Sequence, residues 1–87
     1  MRYIYTDLDL DALPPMDRPT TLLCSGNRLV TLLDMPELQT LDCSQNPLLE
    51  LPLCPELTTL VCVSSQLVDL ELYPKLMQLN CERRRSK

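Results

Sequence analysis

Leucine recurs on a fixed beat along this chain. Leu22, Leu41, Leu60 and Leu79 stand nineteen positions apart, as do Leu29, Leu48 and Leu67, then Leu32, Leu51 and Leu70, and then Leu38, Leu57 and Leu76. Cys24, Cys43, Cys62 and Cys81 keep the same spacing, and so do Pro36, Pro55 and Pro74. The chain therefore divides into repeats at 20–38, 39–57 and 58–76, followed by the start of another copy at 77–82 and a tail at 83–87. One period back, Leu10 and Leu13 fall under Leu29 and Leu32, while Tyr3 and Tyr5 fall under Leu22 and Cys24, so residues 1–19 read as a diverged first repeat. Self-similarity at a period near twenty predicts a solenoid, in which each unit buries its apolar face against its neighbours.

Parity locates the strand. Successive strand side chains point to opposite faces, so Leu41 and Cys43 turn inward while Thr40, Asp42 and Ser44 turn outward. One short parallel strand per repeat is the expectation. The rest of each unit is short and interrupted by Met35-Pro36, Cys54-Pro55 and Tyr73-Pro74, and a residue before proline is driven to extended backbone. The convex side should then be extended or polyproline-like, with at most a single helical turn.

Within the repeats the pattern L-x-x-L-x-C-x-x-N-x-L stands as Leu38, Leu41, Cys43, Asn46 and Leu48, and less completely as Leu22, Cys24, Asn27 and Leu29. This pattern resembles the leucine-rich repeat family over essentially the whole chain, and its short units are similar to those of bacterial effector proteins and of repeat proteins from large DNA viruses. The resemblance implies a single leucine-rich-repeat domain over 1–87 with a short parallel sheet on one face. It also implies that Asn27 and Asn46 bond backbone groups at the bend after the strand. Leu8, Ser65 and Arg84 interrupt that asparagine column. The appended catalytic domain of some effectors has no room in this chain, so ligase activity is not implied.

Charge divides the chain. Twelve acids against Arg2, Arg18, Arg28 and Lys75 give −8 over residues 1–82, whereas Arg83, Arg84, Arg85 and Lys87 add +4. An acidic body argues against a nucleic-acid face, leaving at most the basic tail for such a contact. No apolar run approaches the ~18 residues of a membrane span, and MRYIYTDLDL lacks the apolar centre of a signal peptide. Five cysteines, an odd number, fit reduced thiols. An intracellular, cytoplasmic protein is the expectation.

Chemistry has little foothold in the residue types. The periodic cysteines fall on inward positions about 4.8 Å apart, where a free thiol serves as a small hydrophobe. There is no histidine and no C-x-x-C pair, so neither a metal nor a cofactor is expected. Cys54 lies outside that ladder beside Pro55, on the convex side, and is the thiol expected to be accessible. Asp7, Asp9 and Asp11 alternate, but the remainder of a calcium loop is missing. Gly26 is the only glycine, which excludes a glycine-rich phosphate loop. Glu37, Glu56 and Lys75 read as a surface charge ladder. An enzyme is not expected.

Interest falls on the outward columns instead. By register one column is Ile4, Leu23, Asp42, Val61 and Asn80, the next Thr6, Ser25, Ser44, Val63 and Glu82, and a third Thr21, Thr40, Thr59 and Gln78. Ile4 with Leu23, and Val61 with Val63, make two apolar spots on a hydroxyl-rich face, a pattern typical of interaction sites. The last strand should expose Leu79 and Cys81 and lead straight into Arg83, Arg84 and Arg85, an edge able to pair with a protein partner or a second copy. The sequence therefore points to a non-catalytic protein-interaction module. The alternative is a small structural subunit of a larger assembly such as a virion or multiprotein particle.

Overall fold

A computed structural model describes residues 1–62 and 73–80. Five three-residue strands, β1 (Arg2–Ile4), β2 (Thr21–Leu23), β3 (Thr40–Asp42), β4 (Thr59–Val61) and β5 (Gln78–Asn80), pair in chain order into one parallel sheet. The register never slips: Tyr3 lies opposite Leu22, Leu22 opposite Leu41, Leu41 opposite Leu60 and Leu60 opposite Leu79. The chain thus winds into a β-solenoid of about 4 turns with ~19-residue spacing. No helix occurs among the described residues. Sequence pattern and structure agree because a one-residue slip would turn every inward leucine to solvent.

Strands β1, β2 and β3 each leave the sheet through a tight bend. Past the strands, the ladder continues as Tyr5 N–H to Leu23 C=O (2.7 Å), Cys24 N–H to Asp42 C=O (2.8 Å), Cys43 N–H to Val61 C=O (2.9 Å) and Cys62 N–H to Asn80 C=O (2.9 Å). Two residues later the chain enters the left-handed region, at Asp7 (φ 56°), Gly26 (φ 72°) and Gln45 (φ 56°). Asp7 and Gln45 adopt that conformation with side chains; at Gly26 a Cβ would in addition run into the Asp7 carboxylate one turn below.

The asparagines close the bend. Asn46 donates through Nδ2 to the carbonyls of Cys24 (3.0 Å), Cys43 (3.2 Å) and Ser44 (3.0 Å), and its Oδ1 accepts from Leu29 N–H (3.1 Å). Asn27 serves Tyr5, Cys24 and Ser25 in the same way while accepting from Leu8 and Leu10. Each asparagine thereby ties its own turn to the turn before it. Leu8 has no such side chain; Ser65 and Arg84, with Leu67 and Leu70, lie outside the described residues.

The opposite corner is a β-turn with proline at its second position. Leu38 N–H bonds Met35 C=O (3.2 Å), Leu57 N–H bonds Cys54 C=O (3.0 Å) and Leu76 N–H bonds Tyr73 C=O (3.1 Å). Proline presets the φ such a turn requires, which accounts for the Pro36, Pro55 and Pro74 column. The residue before each proline points inward. Cys54, expected from sequence to be accessible, is consequently buried in one column with Met35 and Tyr73, and Tyr73 finds a partner in Pro52 C=O (2.7 Å).

The core is a stack of flat layers. Leu22, Leu41 and Leu60 and the thiols of Cys24, Cys43, Cys54 and Cys62 are 0% exposed, with Leu29, Leu38 and Leu57 packed between them. Burial of each leucine contributes on the order of 1.5–3 kcal/mol. Ser44, placed outward by parity, is buried as well, because the bend folds over it. At the first turn, Tyr3 and Tyr5 replace leucine and cysteine and stack at 6.2 Å against the end of the core, with the Tyr3 hydroxyl bonded to the Asp17 backbone. Leu79 differs from the rest of its column, at 42% exposed.

Candidate functional site

The sheet face holds the outward column in register: Ile4 beside Leu23, Leu23 beside Asp42, Asp42 beside Val61, and Val61 beside Asn80. Ile4 and Asn80 are exposed, and Leu23, Asp42 and Val61 are half-buried between neighbouring strands. The flanking column of Thr21, Thr40 and Thr59 is half-buried too. Asp42 accepts from Ser44 N–H (3.2 Å), so the acid in the middle of the face is locked by its own bend. Val63, Cys81, Arg83, Arg84 and Arg85 lie outside the described residues. Of the expected edge residues, Leu79 is therefore the one the structure places, beside an exposed Met77 on the β5 side.

Burial holds the thiols of Cys24, Cys43 and Cys54 neutral. Loss of hydration drives Cys24 from its ordinary 9.0 up to about 12, aided by the Asp42 charge, and drives Cys54 up to about 11 against a counteracting backbone bond from Met35. Cys43 is raised further, chiefly by burial and then by its ladder neighbours Cys24 and Cys62. A neutral buried thiol is a poor nucleophile and a poor metal ligand. No group of three or more His, Cys, Asp or Glu side chains suited to a metal occurs among the described residues.

Four of the acids are held in surface pairs. Arg28 bonds both Asp9 (2.9 Å) and Asp11 (3.2 Å), which places a guanidinium where a cation bound to those carboxylates would have to sit. Glu56 pairs with Lys75 (2.9 Å), as the sequence column suggested, and Glu37 pairs one turn down with Arg18 (4.0 Å). Exposed pairs of this kind contribute little individually.

A second surface feature was not anticipated from sequence. On the convex side the first two turns part company, leaving a groove of about 750 Å³ between residues 11–19 and 31–37. Its floor is Leu13, Met16, Leu32 and Met35, and Leu33 stands on its lip at 83% exposed. The groove exists because the first turn lacks the groups that tie the second turn to the third. Between the second and third turns, Leu49 N–H bonds Val30 C=O (2.9 Å), Met35 N–H bonds Leu53 C=O (3.0 Å), and Leu53 N–H bonds Asp34 Oδ1 (2.9 Å). Pro15 stands where Asp34 would be needed, and Pro19 stands where the corner turn needs an N–H. The available signal was the proline cluster Pro14, Pro15 and Pro19 in the diverged repeat.

No family model matches this chain, no curated protein is detectably similar to it, and no solved structure matches its fold. No helix among the described residues is long and apolar enough to cross a membrane.

Proposed function

We propose that this chain is a non-catalytic protein-interaction module of the leucine-rich-repeat kind, working through the sheet face and the β5 edge. The observation that supports it is the unbroken outward column from Ile4 to Asn80, in which the five-stranded sheet presents Ile4 and Leu23 side by side, together with the half-exposed Leu79 on the last strand. A β-solenoid fixes side-chain spacing across turns without needing any one residue to be mobile, which suits recognition of an extended surface. Cys81 and the basic run Arg83, Arg84 and Arg85 extend the β5 side in sequence and form part of the proposed contact. A cytoplasmic setting, with the thiols reduced, belongs to the same proposal. The alternative role, a structural subunit docked in a larger particle, uses the same surfaces permanently.

Ile4 is exposed, so Ile4→Glu should leave the thermal melt unchanged while weakening capture of the native partner about tenfold, the equivalent of one lost apolar contact. Leu79→Glu tests the edge by light scattering across protein concentration. Unaltered capture by Ile4→Glu and unaltered association by Leu79→Glu would together remove the support for this reading.

A further inference from the structure

We infer that the convex groove between the first two turns is a docking site for an extended peptide segment of a partner protein, one that carries aliphatic side chains and a single lysine or arginine. This surface lies away from the outward column of the sheet and does not depend on the reading above. Three features define the occupant.

The first is unused backbone. The groups that correspond to the bonds between turns two and three are Val30 N–H with Asp11 C=O, and Met16 N–H with Asp34 C=O, and neither pair is bonded across the groove. A strand laid between the two walls supplies each with a partner, as extended peptides do when they add to a sheet edge. The bonded region resumes at both ends of the gap, with Arg28 N–H on Leu10 C=O (2.8 Å) and Thr20 N–H on Met1 C=O (2.8 Å). The groove is thus a defined interruption in a continuous ladder.

The second is apolar surface in the right place. Leu13, Met16 and Leu32 line the floor, and exposed Leu33 extends the apolar strip from the lip. Side chains on one face of a docked strand would cover them. The third is charge. Asp11 is answered by Arg28 and Glu37 by Arg18, but no cation lies within ion-pair reach of Asp34 among the described residues. Its Oδ1 accepts from Leu53 N–H, which holds the carboxylate at the lip with its charge unmatched. A lysine or arginine on the peptide complements it.

The test uses a dye-labelled synthetic peptide that alternates leucine and serine and carries one lysine, read by fluorescence anisotropy against the full chain. The lysine peptide should bind about tenfold tighter than its glutamate counterpart. Asp34→Asn keeps the acceptor for Leu53 N–H and should erase that preference without moving the melt. Leu33→Asp, at a solvent-exposed position, should weaken both peptides. N-methylation of alternate peptide amides should weaken binding by a similar factor if the backbone is read. No saturable binding of the lysine peptide, indifference to Leu33→Asp, indifference to N-methylation, or equal affinity for dodecylammonium would each overturn the proposal. The last outcome would assign the groove to small cationic amphiphiles.

Discussion

Replacing Asn46 by leucine should cost about 3 to 5 kcal/mol in a urea titration, most of the stability expected for a chain of this size. The side chain is buried in the bend after β3 and holds three carbonyls and one N–H. Those backbone groups belong to two different turns, Cys24 and Leu29 in one and Cys43 and Ser44 in the next. Leucine has similar size but no polar atoms, so the cavity stays filled while the bonds vanish. Each buried group left unpaired costs about 1 to 3 kcal/mol, and partial access to water limits the sum. A loss below about 1 kcal/mol would mean that the bend is solvated rather than closed by the side chain.

The second large effect is alkaline unfolding well below the point where backbone chemistry intervenes. Burial raises Cys24 to about 12 and Cys54 to about 11 from 9.0 in the unfolded chain, with Cys43 raised further. A group whose folded value is raised binds its proton more tightly when folded. Its contribution is fully present below about pH 9 and disappears as pH climbs through the folded values, between about pH 9 and 12. Near pH 10.5 each of these thiols should cost about 1 to 2 kcal/mol, enough in combination to bring the molecule to its midpoint. Tyrosine ionises in the same range, so the decisive reading is the slope of stability against pH in Cys43→Ala. The slope should be shallower than in the parent chain; an identical slope would show that the ladder thiols titrate normally.

Much of this architecture was legible in the spacing of apolar residues. A period of nineteen fixed the strand register, because the Leu22, Leu41 and Leu60 column can turn inward only if successive turns stack without slip. The asparagine bonds followed from the resemblance together with the column, and the structure adds that each side chain reaches back to the preceding turn. The fate of Cys54 was hidden. Its neighbour Pro55 marks a turn, but only the column it shares with Met35 and Tyr73 reveals that the first residue of that turn points inward. Ser44 was misplaced for a related reason, since parity along a strand stops applying once the chain bends.

The convex groove was the least legible feature. Repeat alignment emphasises positions that agree, whereas the groove arises where the first repeat fails to agree, at Pro14, Pro15 and Pro19. Proline removes an N–H without changing the apolar count, so the hydrophobic pattern shows nothing unusual there. The exposed leucines tell the same story. Leu33 and Leu49 look like core residues in a run of apolar letters, yet at 83% and 70% exposed they lie on the convex surface, because extended segments alternate their faces as strands do.

The stacking of turns at fixed register underlies both candidate surfaces, since the outward column and the groove exist only if each strand pairs with the next. Scalar couplings across hydrogen bonds measure that pairing directly. In a nitrogen-15 and carbon-13 labelled sample, correlations are expected from Tyr5 N to Leu23 carbonyl, Cys24 N to Asp42 carbonyl and Cys43 N to Val61 carbonyl, matching bonds of 2.7, 2.8 and 2.9 Å. The offset between partners should be the same at every step. Correlations in which one partner's number falls as the other's rises, the mark of antiparallel pairing, or an offset that shifts between turns, would contradict it.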